Sequence, residues 1–181
     1  MRISSGIYKG RQIKVPPGIR PTAERVRSAI FDILGNRVGD AALLELCAGS
    51  GAVGFEALSR GAKRVVFVDK SRQCARVITL NARTLDVSLG DRVSVVCADA
   101  AQAIQRLGSQ GARFDLLFID PPYVTDVYKK CLPYIGDCAI LNPNALVIVE
   151  HPHKHPLTQL ANFQLIRTQR YGDTAVSFLS I

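Results

Sequence analysis

From residue 43 onward the chain alternates short apolar runs with stretches of helical periodicity, and few architectures accept that rhythm. Strands are expected at Leu43 to Cys47, Arg64 to Val68, Val93 to Cys97, Phe114 to Ile119 and Ala145 to Val149, with a helix running to Arg60 and others starting at Ser71, Ala100 and about Thr125. Leu116-Leu117-Phe118-Ile119 is apolar at successive positions, which suits a parallel strand covered by helices on both faces. The implied fold is α/β, a Rossmann-like, mostly parallel, doubly wound sheet. The tail departs from the rhythm. Phe163 to Gln169 and Ala175 to Leu179 flank Tyr171-Gly172-Asp173-Thr174, so an antiparallel hairpin closes a sheet of seven strands.

With 181 residues, 48% of them hydrophobic, the chain is read as one domain, with residues 1–20 as a basic hairpin appendage and 21–181 as its main body. No run of about 18 apolar residues is present, so no membrane span is expected. The opening MRISSGIYKGRQIK lacks an apolar leader core, so a cytoplasmic protein is expected. Five scattered cysteines without C-x-x-C spacing predict neither a disulfide framework nor a zinc site. Cys47 and Cys97 are expected in the core on strands, and Cys74, Cys131 and Cys138 on helices. His151-Pro152-His153-Lys154-His155-Pro156 reads as a loop after the fifth strand, with no carboxylate or cysteine cluster beside it, and no metal is expected.

The net charge of +8 is concentrated near the start. Residues 1–30 hold seven basic side chains (Arg2, Lys9, Arg11, Lys14, Arg20, Arg25, Arg27) against Glu24, while the remainder is nearly balanced. Such a segment suits a polyanion such as nucleic acid, or is a solvated basic face. Ile3, Ile7, Ile13 and Val15 around Lys9-Gly10 suggest a small hairpin. A helix follows, with Thr22 as its cap, Glu24 in its first turn, an apolar stripe of Val26, Ala29, Ile30, Ile33 and Leu34, and Gly35 as its stop. Arg25 and Arg27 fall off that stripe.

The first strand-to-helix turn carries Gly49, Gly51 and Gly54 in the pattern G-x-G-x-x-G, and Asp69 ends the next strand. Glycines there let the backbone approach a ligand, and the acid can accept both hydrogens of a ribose diol, jobs that suit any adenosine cofactor. Glu45 narrows the choice. Negative charge beside the loop opposes a pyrophosphate but attracts the ammonium of an amino-acid moiety, which favours S-adenosylmethionine. Asp99, just after the third strand, either accepts from an adenine amine or caps the helix that follows.

Phe114 to Tyr123 reads FDLLFIDPPY. Pro121 and Pro122 cannot donate to a sheet ladder, so the chain leaves the sheet just after Asp120. There the Asp120 carboxylate and the Pro121 carbonyl would accept the two N–H groups of a planar exocyclic amine, with Tyr123 stacked on the extruded base.

With these residues the sequence resembles the class I methyltransferases, and within them the bacterial 16S ribosomal RNA guanine-N2 methyltransferase family. The resemblance spans Arg20-Pro21-Thr22 with Arg25-Val26-Arg27, the Ala48-to-Gly54 loop, Asp120 to Tyr123, and Arg170-Tyr171-Gly172-Asp173-Thr174. Two positions depart from the family's usual pattern: Glu45, where Asp is usual, and Cys47, where an aromatic is usual. The resemblance implies methyl transfer from S-adenosylmethionine to a guanine amine of 16S ribosomal RNA, free or in an assembling small subunit. It implies a cofactor site of Glu45, Ala48, Gly49, Ser50, Gly51, Asp69, Lys70, Asp99 and Ala100 and a catalytic set of Asp120, Pro121, Pro122 and Tyr123. RNA contacts are expected from Lys9, Arg11, Lys14, Arg20, Arg25, Arg27 and Arg170, although Arg170 and Tyr171 equally suit packing of the hairpin turn. The competing functions are an adenine-N6 methyltransferase, a nicotinamide-dependent oxidoreductase and a non-catalytic RNA-binding assembly factor.

Overall fold

The computed structural model describes residues 1–121, 127–158 and 160–181. Seven strands, β1 (Ala42–Leu46), β2 (Arg64–Asp69), β3 (Val93–Cys97), β4 (Phe114–Ile119), β5 (Leu141–Pro152), β6 (Gln164–Tyr171) and β7 (Thr174–Ser180), form one sheet in the order β3-β2-β1-β4-β5-β7-β6. The first five run parallel, and β7 pairs antiparallel with both β5 and β6. Tyr171 pairs with Thr174 across a two-residue turn in which Gly172 takes φ 65°. The expected closing hairpin is present.

Alternation along each strand divides the core in two. Leu43, Val65, Phe67, Leu116, Phe118 and Ile148 face one side, against α1 (Glu24–Leu34), α2 (Ala52–Ser59) and α3 (Arg72–Thr84). Leu44, Leu46, Val66, Val68, Leu117, Ile119 and Val147 face the other, against α4 (Ala100–Ser109) and α5 (Val127–Asp137). Both faces being covered explains why these strands read as unbroken apolar runs. Among the described residues no helix is long and apolar enough to cross a membrane.

Four local expectations are corrected. Thr22 does not cap α1, whose N-cap position is Ala23 without a side-chain bond; Thr22 is buried and bonded elsewhere. Arg27 is not on a free surface but 1% exposed. Its guanidinium meets Glu56 of α2 at 3.2 Å and donates to the carbonyls of Arg2 and Thr22. Cys97 is exposed at the end of β3, and Cys47 is half-buried one residue past β1, rather than both lying in the core on strands. His151 is not in a loop: β5 runs through it to Pro152, and its buried ring lies 2.9 Å from Ser177 Oγ and 3.1 Å from the carbonyls of Pro152 and His155. Two carbonyls at Nδ1 require the proton there, so Nε2 accepts from Ser177.

The N-terminal segment is held by one antiparallel bridge, Arg2 with Gln12, and its turn is wide enough to leave Ile7 72% exposed. Ile3 and Ile13 enter the core shared with α1, α2 and the sheet. Polar bonds fix the rest. The amides of Ser4 and Ser5 donate to the Glu56 carboxylate, and Asn81 of α3 bonds both the amide and the carbonyl of Lys14.

Candidate active site

The strand order reverses at β1, whose neighbours β2 and β4 are reached by crossovers running in opposite directions. Open α/β sheets leave a crevice outside the carboxyl ends of the strands at such a point. A cavity of about 500 Å³ lies there, walled by the ends of β1, β2, β4 and β5, by the segment after β3, and by residues 18–23 from the N-terminal side.

The glycine loop forms its floor. Gly51 sits at φ 76°, and a Cβ on it would come within 2.8 Å of Phe55 and 2.9 Å of Phe67. A Cβ on Gly54 would come within 2.4 Å of Phe67 on β2 and 2.6 Å of Glu45 Oε2. The last glycine is thus required for packing α2 against the sheet. The loop is tied down by the Gly49 amide, which donates to Asp69 Oδ2 at 2.8 Å, while Asp69 Oδ1 accepts from the Ser71 amide at 2.8 Å. Both Asp69 oxygens keep a further lone pair for a ligand.

Glu45 is buried beneath the loop and accepts from the Gly54 amide at 2.7 Å, so it serves the start of α2 as well as the cavity wall. Burial pushes its carboxyl up to about 8, partly offset by the backbone amides of Gly54 and Val53. Cys47 follows β1 at φ 58°, half-buried on the wall, its thiol pushed up to about 12 chiefly by burial. Asp99 caps α4, accepting from the Ala101 and Gln102 amides, and also lines the cavity. Ala48, Gly49, Ser50, Lys70 and Ala100 line it too, whereas Gly51 does not.

Asp120 stands at the exit of β4. Thr22 Oγ1 donates to its Oδ2 at 3.2 Å. Burial raises its carboxyl well above the ordinary range, and the nearby Glu150 adds to the effect while Thr22 opposes it. Pro121 is buried and lines the same cavity. Pro122 and Tyr123 lie outside the described residues.

Glu150 and Thr22 are site residues that the sequence reading did not assign to the site. Ile119 of β4 pairs with Val149 of β5, so Asp120 and Glu150 are the next residues on adjacent parallel strands. A signal for Glu150 exists: it follows Leu146-Val147-Ile148-Val149 as Asp120 follows its own apolar run. Glu150 is 5% exposed and lines the cavity, and burial raises its carboxyl, while Thr22 and Arg20 draw it down.

Of the basic residues, Lys9, Arg11, Lys14, Arg20, Arg25 and Arg170 are exposed, and Arg20 also lines the cavity. Arg11 is engaged with the Thr84 carbonyl and Arg170 with that of Gly172. Arg27 must be removed from the expected RNA-contacting set because it is sealed beneath the N-terminal segment.

Known proteins are similar to this chain over nearly its whole length. The protein named ribosomal RNA small subunit methyltransferase D of Escherichia coli K12 is 33% identical over 178 residues, covering 97% of this chain and 87% of that protein. Its namesake from Haemophilus influenzae is 32% identical over 174 residues, covering 95% and 89%. A solved structure from Thermus thermophilus superposes with a TM-score of 0.86 at 29% identity, covering 100% of this chain and 99% of that one. The family described as Conserved hypothetical protein 95 matches residues 1–180, and this chain belongs to it.

Proposed function

We propose that this protein transfers the methyl group of S-adenosylmethionine to the exocyclic N2 amine of a guanine in 16S ribosomal RNA, acting in the cytoplasm as one methyltransferase domain. The observation that carries this reading is the meeting, in one cavity at the sheet's switch point, of a glycine-loop floor with Asp69 and a carboxyl at Asp120. Relatives named as small-subunit ribosomal RNA methyltransferases match nearly the entire chain.

The residues present fit the cofactor. A volume of about 500 Å³ suits a ligand of its size. Glu45 would hold the ammonium, Asp69 the ribose diol and Asp99 the adenine amine, and all three line the cavity. The fit at Glu45 requires its proton to leave, since a neutral acid attracts an ammonium only as a dipole. When bound, S-adenosylmethionine supplies an electrophilic methyl carbon on a sulfonium.

The chain's own groups prepare the acceptor. An aryl amine is a weak nucleophile because its lone pair is delocalised into the ring. Asp120 and the Pro121 carbonyl, accepting its two N–H bonds, favour a pyramidal nitrogen with the lone pair free to attack. The attacked nitrogen becomes cationic and acidic, and Asp120 can take its proton. Thr22, donating to Asp120, fixes that carboxyl's rotamer. Lys9, Lys14, Arg20 and Arg25 provide exposed positive charge for RNA phosphates. Incubating the protein with labelled S-adenosylmethionine and unmodified small subunits or their RNA should yield N2-methylguanosine. Label in N6-methyladenosine, or none in RNA, would refute the proposal.

A further inference from the structure

Glu150 presents a buried acid that neither the fold nor the proposed methyl transfer uses. Its Oε2 has no hydrogen-bond partner among the described residues, although it is enclosed and lines the cavity. Buried polar atoms left in that state are uncommon and costly. The Thr22 hydroxyl donates to Asp120 and also draws on the Glu150 carboxyl, yet Oε2 stays without a partner, and Arg20, the cation that acts on Glu150, is itself exposed. Packing alone would be met by an apolar side chain, as at Val147 and Val149 on the same strand. The open oxygen is therefore suited to a donor that arrives with the substrate.

Its position identifies the donor. Asp120 and Glu150 follow the paired residues Ile119 and Val149, so the two carboxyls stand side by side on strands about 4.8 Å apart. Guanine presents N1–H and N2–H as adjacent donors on one edge, whereas adenine has a bare acceptor at N1. We propose that Glu150 reads the base: its Oε2 accepts the guanine N1–H while Asp120 holds the N2 amine, so that the site selects bases protonated at N1. The inference rests on the guanine-N2 reading above. A carboxyl that keeps its own proton still offers a carbonyl oxygen, so the acceptor survives either protonation state.

The test uses two RNAs that differ only at the target base, guanosine or 2-aminopurine riboside. Both carry the 2-amine, but only guanine has a hydrogen on N1. The kcat/KM for each is measured with the wild-type protein, Glu150→Gln and Glu150→Asp. The wild-type protein should prefer guanosine by about tenfold or more. Glu150→Gln brings an amide N–H that can meet a bare N1, so that preference should fall by about tenfold or more, with S-adenosylmethionine affinity unchanged. Glu150→Asp keeps an acceptor and should retain the preference even if both rates fall. Equal losses on both bases in Glu150→Gln would overturn the inference, because a structural role cannot distinguish them. Should that variant not fold, a wild-type preference below tenfold, or its loss in Glu150→Asp, would overturn it. Failure of the underlying reading shows itself separately, as wild-type protein that makes no N2-methylguanosine from guanosine.

Discussion

Replacing Glu45 by Gln should change how stability depends on pH. In the folded protein the Glu45 carboxyl is held at about 8, against 4.5 for an exposed glutamate. Between those values the folded state keeps a proton that the unfolded chain has released, so unfolding stability falls as pH rises. The slope is about 1.4 kcal/mol per pH unit. The burden is absent below pH 4.5 and reaches on the order of 4 kcal/mol by pH 8. Asp120 and Glu150 act with the same sign, since both carboxyls are raised, and they remain in the variant. The amide introduced by Glu45→Gln would keep an oxygen for the Gly54 N–H and carry no titrating proton. Guanidinium unfolding of cofactor-free protein at pH 5, 6, 7 and 8 measures the effect. Glu45→Gln should gain on the wild type progressively from pH 5 to 8. Parallel curves would refute the account of Glu45 as a buried acid forced to titrate late.

Arg27→Met should lower stability by roughly 1–3 kcal/mol, because it removes one of the two guanidiniums on the buried Glu56, while Arg60 and the Ser4 and Ser5 amides remain, and it leaves the carbonyls of Arg2 and Thr22 without their donor; an unchanged stability by chemical unfolding would contradict this. Gly54→Ala should destabilise by roughly 1–3 kcal/mol, since its Cβ meets Phe67 and Glu45, and an unchanged melting temperature would show that α2 can shift without penalty. For Asp120→Ala, single-turnover methyl transfer should slow by about a hundredfold while RNA affinity persists; near wild-type transfer would reduce Asp120 to a structural role. Neutralising Lys9 and Lys14 should flatten the plot of log RNA affinity against log salt by about 0.7 to 0.9 for each phosphate no longer neutralised, and an unaltered slope would move the RNA surface elsewhere.

The parallel strands are legible in the sequence because a strand buried on both faces needs apolar residues at successive positions, and β1, β2 and β4 supply them. The floor of the cavity is legible for a related reason: the glycines and Asp69 are local to two consecutive strand-helix units. Arg27 is not. On its own helix it reads as a residue off the apolar stripe, and only Glu56, 29 residues later, turns it inward. Thr22 misleads because a hydroxyl one residue before a helix cap looks like a cap, while its partner Asp120 is 98 residues distant. The exposure of Cys97 follows from its place at the tip of the edge strand β3, which no composition reveals. Glu150 escapes notice because the His-Pro directly after it resembles a loop, whereas pairing with Ala175 and Thr174 carries the strand to Pro152.

The tie between the N-terminal segment and the rest of the molecule sets an order of assembly. Residues 1–14 are made before the groups that hold them: Glu56, Ser59 and Asn81 emerge from the ribosome 51 to 67 positions behind their partners. Until α2 and α3 have both been synthesised, that segment lacks part of its anchorage, and Lys14, the tie nearest the stretch 18–23 that closes the cavity, waits for Asn81 of α3. The cofactor wall is thus completed from the start of the chain, but only after the sheet beneath it exists. A ligand that fills the cavity also rests against that wall, so its binding is linked to the free energy that fastens the segment, and residues made early are secured by partners made later.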